Sequence, residues 1–183
     1  MNLRPSDVHL GDVAHALAHL ARFNGHARRF YSVAQHSVLV SVLVDDDLAA
    51  AALLHDAGEA YVGDLTSPLR AGLRVWAGRS ANSYSAFDYA EERARDAVLA
   101  ACGVPDPGED GWRAIKRADL VALATERRDV LAHPGDSPWS SLFGVDPAPG
   151  RMRALEPMAA RRLFFERARE LKRRRHRWRN VTA

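Results

Sequence analysis

The run from Ala49 to Glu59 constrains the fold of this chain more than any other feature of the sequence. It begins with an apolar, alanine-rich stretch that is typical of a helix buried in a protein core, and it ends in His55, Asp56 and Glu59. Ionisable side chains at the end of a buried element cost free energy unless they are paired or bind an ion. Imidazole and carboxylate together suit a divalent transition metal, so the sequence predicts a metal ion here.

Two further ionisable residues stand in other apolar helical stretches and are candidates to complete the ligand set. His36 follows Ser32 and Gln35, a capping-box pattern that begins a helix and puts His36 in its first or second turn. Asp119 lies in the stretch 115–124, one side of which is apolar. Together with the histidine and aspartate of the first run they would provide four protein ligands and leave a position open for water or substrate.

The order of these residues, a histidine, a His-Asp pair and a later aspartate on three helices, resembles the HD-domain superfamily of metal-dependent phosphohydrolases. Three segments look like those of the small bacterial HD 5'-deoxynucleotidases, namely 31–37, 55–68 and 116–119. The segments 22–26 and 123–129 are similar to phage-type variants, including dATP triphosphohydrolases. The match runs from about residue 10 to about residue 130.

The resemblance implies a ligand set and a catalytic group. His36, His55, Asp56 and Asp119 would bind one divalent transition metal per subunit, which we expect to be Zn, Co or Mn. Glu59, one helical turn after the aspartate of the pair, would orient or deprotonate the attacking water or protonate the leaving oxygen. A second ion is not expected, because no further His or Asp adjoins the motif as binuclear HD sites require.

Five residues near the motif are candidates for contacts with a nucleotide. Arg22, Arg70 and Lys116 would bind phosphate, and Lys116 precedes the last metal ligand by one helical turn. Phe23 stands where the resembled enzymes often carry a tryptophan packed against the sugar. Asp64 matches a carboxylate that faces the nucleotide in those enzymes.

The fold should be all-α, a single HD-domain bundle over residues 1–183, because no alternating apolar pattern is present. Asp12 and Ser67 are predicted N-caps, and residues 133–150, rich in Pro and Gly, are predicted to form a surface loop. Helices are expected at about 12–23, 33–44, 48–57, 68–78, 84–102, 111–132 and 156–175.

Composition places the chain among soluble globular proteins, with 47% apolar and 27% charged residues. No apolar run approaches the ~20 residues of a membrane span, and the N-terminus lacks the pattern of a signal peptide. A single cysteine, Cys102, fits a reducing compartment. We therefore expect a cytoplasmic protein without a membrane partner.

Positive charge is concentrated near the C-terminus, where residues 161–179 carry ten Lys or Arg against two Glu. An amphipathic helix that packs Leu163, Phe164, Ala168 and Leu171 on the core explains the first part of this segment. The basic extension from about 172 to 183 is then a solvated tail. A nucleic-acid or acidic partner is the alternative, and it would bind only through this tail.

The favoured function is hydrolysis of deoxynucleoside triphosphates such as dATP, with attack at the α-phosphorus. A 5'-deoxynucleotidase acting on monophosphates is the first alternative, and a regulatory HD module that binds a nucleotide without catalysis is the second. Hydrolysis of (p)ppGpp is disfavoured, because that motif continues with an acidic pair whereas Ala60 follows Glu59 here. The resemblance also implies a homo-oligomer.

Overall fold

The fold is an all-α bundle, as predicted. The computed structural model describes residues 3–78, 84–133, 135 and 139–174, and these residues contain no β-strand. Within them the chain forms eight α-helices: α1 (Leu10–His19), α2 (Val33–Val42), α3 (Ala49–Leu53), α4 (Glu59–Val62), α5 (Ser67–Trp76), α6 (Ala86–Cys102), α7 (Gly108–Asp129) and α8 (Pro157–Arg173).

The central helix of the bundle is α2, which packs against α1, α3, α7 and α8. Eight of its ten residues are buried, as expected for a helix that is apolar on nearly all sides. The core around it includes Leu17, Leu53 and Phe164. His36, in the middle of α2, is therefore fully enclosed.

The continuous helix predicted over residues 48–57 is wrong. The helix α3 ends at Leu53, residues 54–58 form turns, and α4 begins at Glu59. Gly58, the last residue of these turns, packs so closely on α6 that a Cβ atom there would collide with the carbonyl oxygen of Glu91. The turn between α3 and α4 can direct two adjacent side chains to one point, whereas adjacent residues of a helix point about 100° apart.

Two predicted helix starts are also wrong. The helix α1 begins at Leu10, which places this buried leucine in the core and leaves Asp12 in the first turn rather than at the cap. A carboxylate there still interacts favourably with the helix dipole. The cap of α5 is Thr66, so that Ser67 is already the first helical residue.

The capping box predicted at the start of α2 is only half formed. Ser32 Oγ accepts a hydrogen bond from the backbone N–H of Gln35 at 3.2 Å. The side chain of Gln35 instead donates to the carbonyl oxygen of Arg153 at 2.7 Å and accepts from the N–H of Leu155 at 2.9 Å. Gln35 therefore connects the segment before α8 to the central helix.

The described part of the predicted loop 133–150 contains a short 3-10 turn, at Ser140–Leu142.

The amphipathic helix predicted near the C-terminus is confirmed as α8. Phe164, Ala168 and Leu171 are fully buried in the core. The helix continues through Arg173, so the first residues of the predicted basic extension are helical, and residues 175–183 lie outside the described part of the chain. Among the described helices, none is long and apolar enough to cross a membrane.

Candidate metal centre

The four predicted ligands meet at one point between α2, α7 and the turn that joins α3 to α4. Nε2 of His36 lies 3.3 Å from Nε2 of His55 and 3.3 Å from Oδ2 of Asp56. It also lies 3.2 Å from Oδ1 of Asp119, and Nε2 of His55 lies 3.2 Å from Oδ1 of Asp56. These side chains are at most 17% exposed. His36, His55 and Asp56 thus form a cluster that could hold a metal ion.

The hydrogen bonds behind the two histidines fit a metal ion in front of them. Nδ1 of His36 lies 2.6 Å from Oε1 of Glu126, and Nδ1 of His55 lies 2.8 Å from the carbonyl oxygen of Ala52. Both partners can accept a proton from Nδ1, so that with a metal ion bound each Nδ1 would keep its proton and each Nε2 would offer its lone pair to the ion. Two neutral imidazoles and two carboxylates are a donor set that suits a divalent transition metal.

Arg22 brings a permanent positive charge to the edge of this cluster. Its Nη1 lies 3.5 Å from Oδ2 of Asp56 and its Nη2 lies 3.4 Å from Oε2 of Glu126. Only 11% of the side chain is exposed. A guanidinium held in this position can pair with a phosphate oxygen that reaches the cluster.

Phe23 was predicted to lie at the end of a helix, but it lies in a turn with left-handed backbone conformation. The helix α1 ends at His19, and Arg22–Gly25 form a 3-10 turn in which Phe23 and Asn24 have φ of 55° and 48°. This conformation costs roughly 1–2 kcal/mol for each such residue and recurs at functional sites. The guanidinium carbon of Arg22 lies 5.3 Å from the centroid of the Phe23 ring. The ring is half-buried, and its exposed part is available to a bound molecule.

Glu59 lies beside the cluster and is almost entirely buried, with 5% of its surface exposed. Its Oε2 atom makes no hydrogen bond within the described part of the chain. Burial, followed by the negative charges of Asp56 and Asp64, raises the pKa of Glu59 well above its usual value. In the metal-free protein Glu59 is therefore a carboxyl group that holds its proton unusually well, and its position beside the cluster suits a general acid or base.

A second group of carboxylates adjoins the first cluster. Oxygen atoms of Asp56, Glu59 and Glu91 lie within 4.8 Å of one another, although the sequence offered no reason to place Glu91 there. Nη1 of Arg70 lies 2.8 Å from Oε2 of Glu91 and 3.3 Å from Oδ1 of Asp88. Because Arg70 already offsets the charge of Glu91, this group is a weaker site for a cation than the His36 cluster.

The remaining predicted contacts lie around the same region. Nζ of Lys116 lies 2.6 Å from Oδ2 of Asp119, and the lysine side chain is 69% exposed, so its ammonium stands at the open side of the cluster. Arg70, predicted to bind phosphate, lies next to the carboxylates and pairs with Asp88 and Glu91 on α6. Asp64 is near enough for its charge to affect Glu59.

Sequence reasoning missed two buried acids. Glu126 contacts His36, Arg22 and Tyr31, and it lies seven residues after Asp119, which is two turns along the same face of α7. That spacing was the available signal. The sequence contains no comparable signal for Glu91, because the charged stretch of α6 around it is typical of a solvated helix face.

Comparison with known proteins gives relatives over most of the chain, whereas no family model matches it. The chain is 37% identical to the uncharacterized protein YfdR of Escherichia coli K12 over 171 residues, which is 92% of this chain and 87% of that protein. It is 33% identical to the uncharacterized protein RCAP_rcc00048 of Rhodobacter capsulatus over 162 residues, which is 82% of this chain and 76% of that protein. The chain therefore belongs to the protein family of E. coli YfdR.

Proposed function

We propose that this protein is a metal-dependent phosphohydrolase of deoxynucleoside 5'-phosphates. The observation that carries the proposal is the meeting of His36, His55, Asp56 and Asp119 at one point, with Glu59 beside them. Four ligands leave open positions on a six-coordinate ion, as a catalytic site requires. The resemblance of these residues to the HD-domain phosphohydrolases supports the same function.

A bound Zn, Co or Mn ion would supply an acidified water and polarise a phosphoryl oxygen. The chain itself would bind and orient the substrate. Arg22 and Lys116 would pair with phosphate oxygens from two sides, and Phe23 would pack against the sugar or base. Glu59 would either donate a proton to the leaving 5'-oxygen or orient and deprotonate the attacking water.

The favoured substrates are deoxynucleoside triphosphates such as dATP, attacked at the α-phosphorus. The similarity of the segment Arg22–His26 to phage-type triphosphohydrolases supports this choice. One observation favours the alternative of a 5'-deoxynucleotidase: Arg22 and Lys116 pair directly with the proposed ligands Asp56 and Asp119, whereas Arg70 pairs with Asp88 and Glu91 on α6 and lies farther from the ligands. Two cations are sufficient for a monophosphate dianion.

Product analysis tests both substrates. The protein, loaded in turn with Mn, Co and Zn, is incubated with dATP and with dAMP, and the products are resolved by ³¹P NMR. We expect dATP to yield deoxyadenosine and tripolyphosphate, without dADP. Accumulation of dADP, or hydrolysis of dAMP alone, would reverse the choice of substrate. Metal binding without hydrolysis of either nucleotide would instead favour the regulatory module. The variant Glu59→Gln, assayed in parallel, is the control for contaminating phosphatases.

A further inference from the structure

Glu126 is a buried carboxylate to which the proposed chemistry assigns no role. It lies on α7 and is 0% exposed. The hydroxyl of Tyr31 donates to its Oε1 at 2.8 Å, Nδ1 of His36 lies 2.6 Å from the same oxygen, and Nη2 of Arg22 lies 3.4 Å from Oε2. Burying a carboxylate costs several kcal/mol, so this one is stable only because its partners compensate for the lost hydration.

The shortest of these contacts is the one to His36. A carboxylate that accepts the Nδ1 proton fixes the tautomer and the plane of the ring, and it makes the imidazole a stronger ligand through Nε2. His55 gives an internal comparison, because its Nδ1 donates to a neutral acceptor, the carbonyl oxygen of Ala52. His36 is thus the histidine of the pair whose strength as a ligand depends on a charged partner.

We propose that Glu126 is a positioning residue for His36, and that Tyr31 and Arg22 hold its carboxylate in place for this purpose. This inference rests on the proposed metal centre and adds to it a residue that does not touch the ion. One helix, α7, would then provide both the ligand Asp119 and the support of the ligand on α2. The competing role is purely structural, with Glu126 as the counter-ion of the buried Arg22.

The substitution Glu126→Gln tests the proposal, because it keeps the size of the side chain and removes its charge. An uncompensated Arg22 would weaken metal binding by charge alone, so a change in ligand geometry is the outcome that separates the two roles. The matched control is Thr125→Val, at the neighbouring buried position of α7. Thr125 Oγ1 donates to the carbonyl oxygen of Val121 at 2.7 Å and accepts from the N–H of Ala148 at 2.8 Å, away from His36. Both variants should lower the melting temperature.

The decisive readouts are the dissociation constant for Co²⁺ and the visible absorption spectrum of the Co²⁺-loaded protein. Glu126→Gln should weaken Co²⁺ binding about 10- to 100-fold and shift the absorption bands, which report on ligand geometry. Thr125→Val should leave both unchanged. Wild-type affinity and spectrum in a folded Glu126→Gln protein would overturn the inference and leave Glu126 only its role beside Arg22.

A measurement on the wild-type protein decides the matter if the glutamine variant does not fold. In the Zn²⁺-loaded protein labelled with ¹⁵N-histidine, His36 should bind the metal through Nε2 and keep a proton on Nδ1 that exchanges slowly with solvent. Coordination through Nδ1 would overturn the inference. A wild-type protein that binds no metal overturns this inference and the proposed function together, whereas metal binding without hydrolysis removes the proposed function alone.

Discussion

Nε2 of His36, on α2, lies 3.2 Å from Oδ1 of Asp119, on α7. The two residues come from helices that are distant in sequence, and the turn that carries His55 and Asp56 completes the cluster from a third side. A metal ion bound here would join three parts of the bundle. The proposed centre therefore makes predictions about stability as well as about catalysis.

Removal of the metal should destabilise the folded protein. A ligand that binds only the folded state adds about 2.7 kcal/mol of stability at a free concentration one hundred times its dissociation constant. Thermal melts with and without chelator measure this effect, and we expect a lower melting temperature with chelator. Asp119→Ala should bind less metal and respond little to chelator. A wild-type melting temperature that does not respond to chelator would show that the ion, if bound, does not stabilise the fold.

Glu59→Ala should keep the metal and lose most of the activity. The four proposed ligands remain in this variant, while loss of a positioned acid or base lowers rates by roughly 10²–10⁴. Metal content by elemental analysis and single-turnover rates are the measurements. Activity near the wild-type level in a variant with full metal content would remove Glu59 from the mechanism.

The ionisation of Glu59 should affect stability in a pH-dependent way in the metal-free protein. Burial and the charges of Asp56 and Asp64 raise its pKa in the folded state above the ordinary 4.5. The stability that this group contributes is therefore fully present below 4.5 and is lost as the pH rises through the folded pKa. The side chain of residue 59 cannot ionise in Glu59→Gln, so this variant should not lose stability in this way.

Unfolding free energies of the metal-free wild-type and Glu59→Gln proteins, measured by urea denaturation from about pH 4 to about pH 8, test this prediction. The free energy of unfolding of Glu59→Gln should increase relative to that of the wild type as the pH rises. Groups remote from residue 59 cancel in the difference, which therefore reports on Glu59 together with its coupled neighbours Asp56 and Asp64. A difference that stays constant across this range would contradict a raised pKa for Glu59.

Gly58 offers a test of how closely the ligand turn must pack. A Cβ atom there would collide with the carbonyl oxygen of Glu91, so Gly58→Ala should cost about 1–3 kcal/mol and displace the adjacent Glu59. Gly11 is the matched control, because a Cβ atom at this helical position would have open space, and Gly11→Ala should stabilise by roughly 0.5–1 kcal/mol. Equal effects of the two substitutions on stability and activity would show that the close approach is not required.

The sequence predicted the helical class and the candidate ligands, because helical periodicity and isolated polar residues in apolar runs are local signals. It did not predict the break after Leu53. The alanine-rich run has a strong helical preference, which the tertiary structure overrides at residue 54.

The surroundings of the ligands were also hidden from sequence reasoning. Glu126 precedes Arg127 and Arg128, a pattern typical of a solvated face, and this pattern outweighed its seven-residue spacing from Asp119; its contacts with Tyr31 and His36 identify it as a buried group. In the same way, Arg70 was predicted to bind phosphate and is found in ion pairs with Asp88 and Glu91. Contacts of this kind depend on how helices are arranged in space and leave no periodic trace in the chain.

The central claim is that one metal ion at the cluster of His36, His55, Asp56 and Asp119 is responsible for hydrolysis. Titrating Mn²⁺ or Co²⁺ into metal-free protein, while recording bound metal and the rate of dATP and dAMP hydrolysis in the same samples, tests it most directly. The rate should rise with bound metal and saturate at about one ion per chain, with neither tight binding nor hydrolysis in Asp119→Ala. Hydrolysis that persists without metal, or that is unchanged in Asp119→Ala, would contradict the claim.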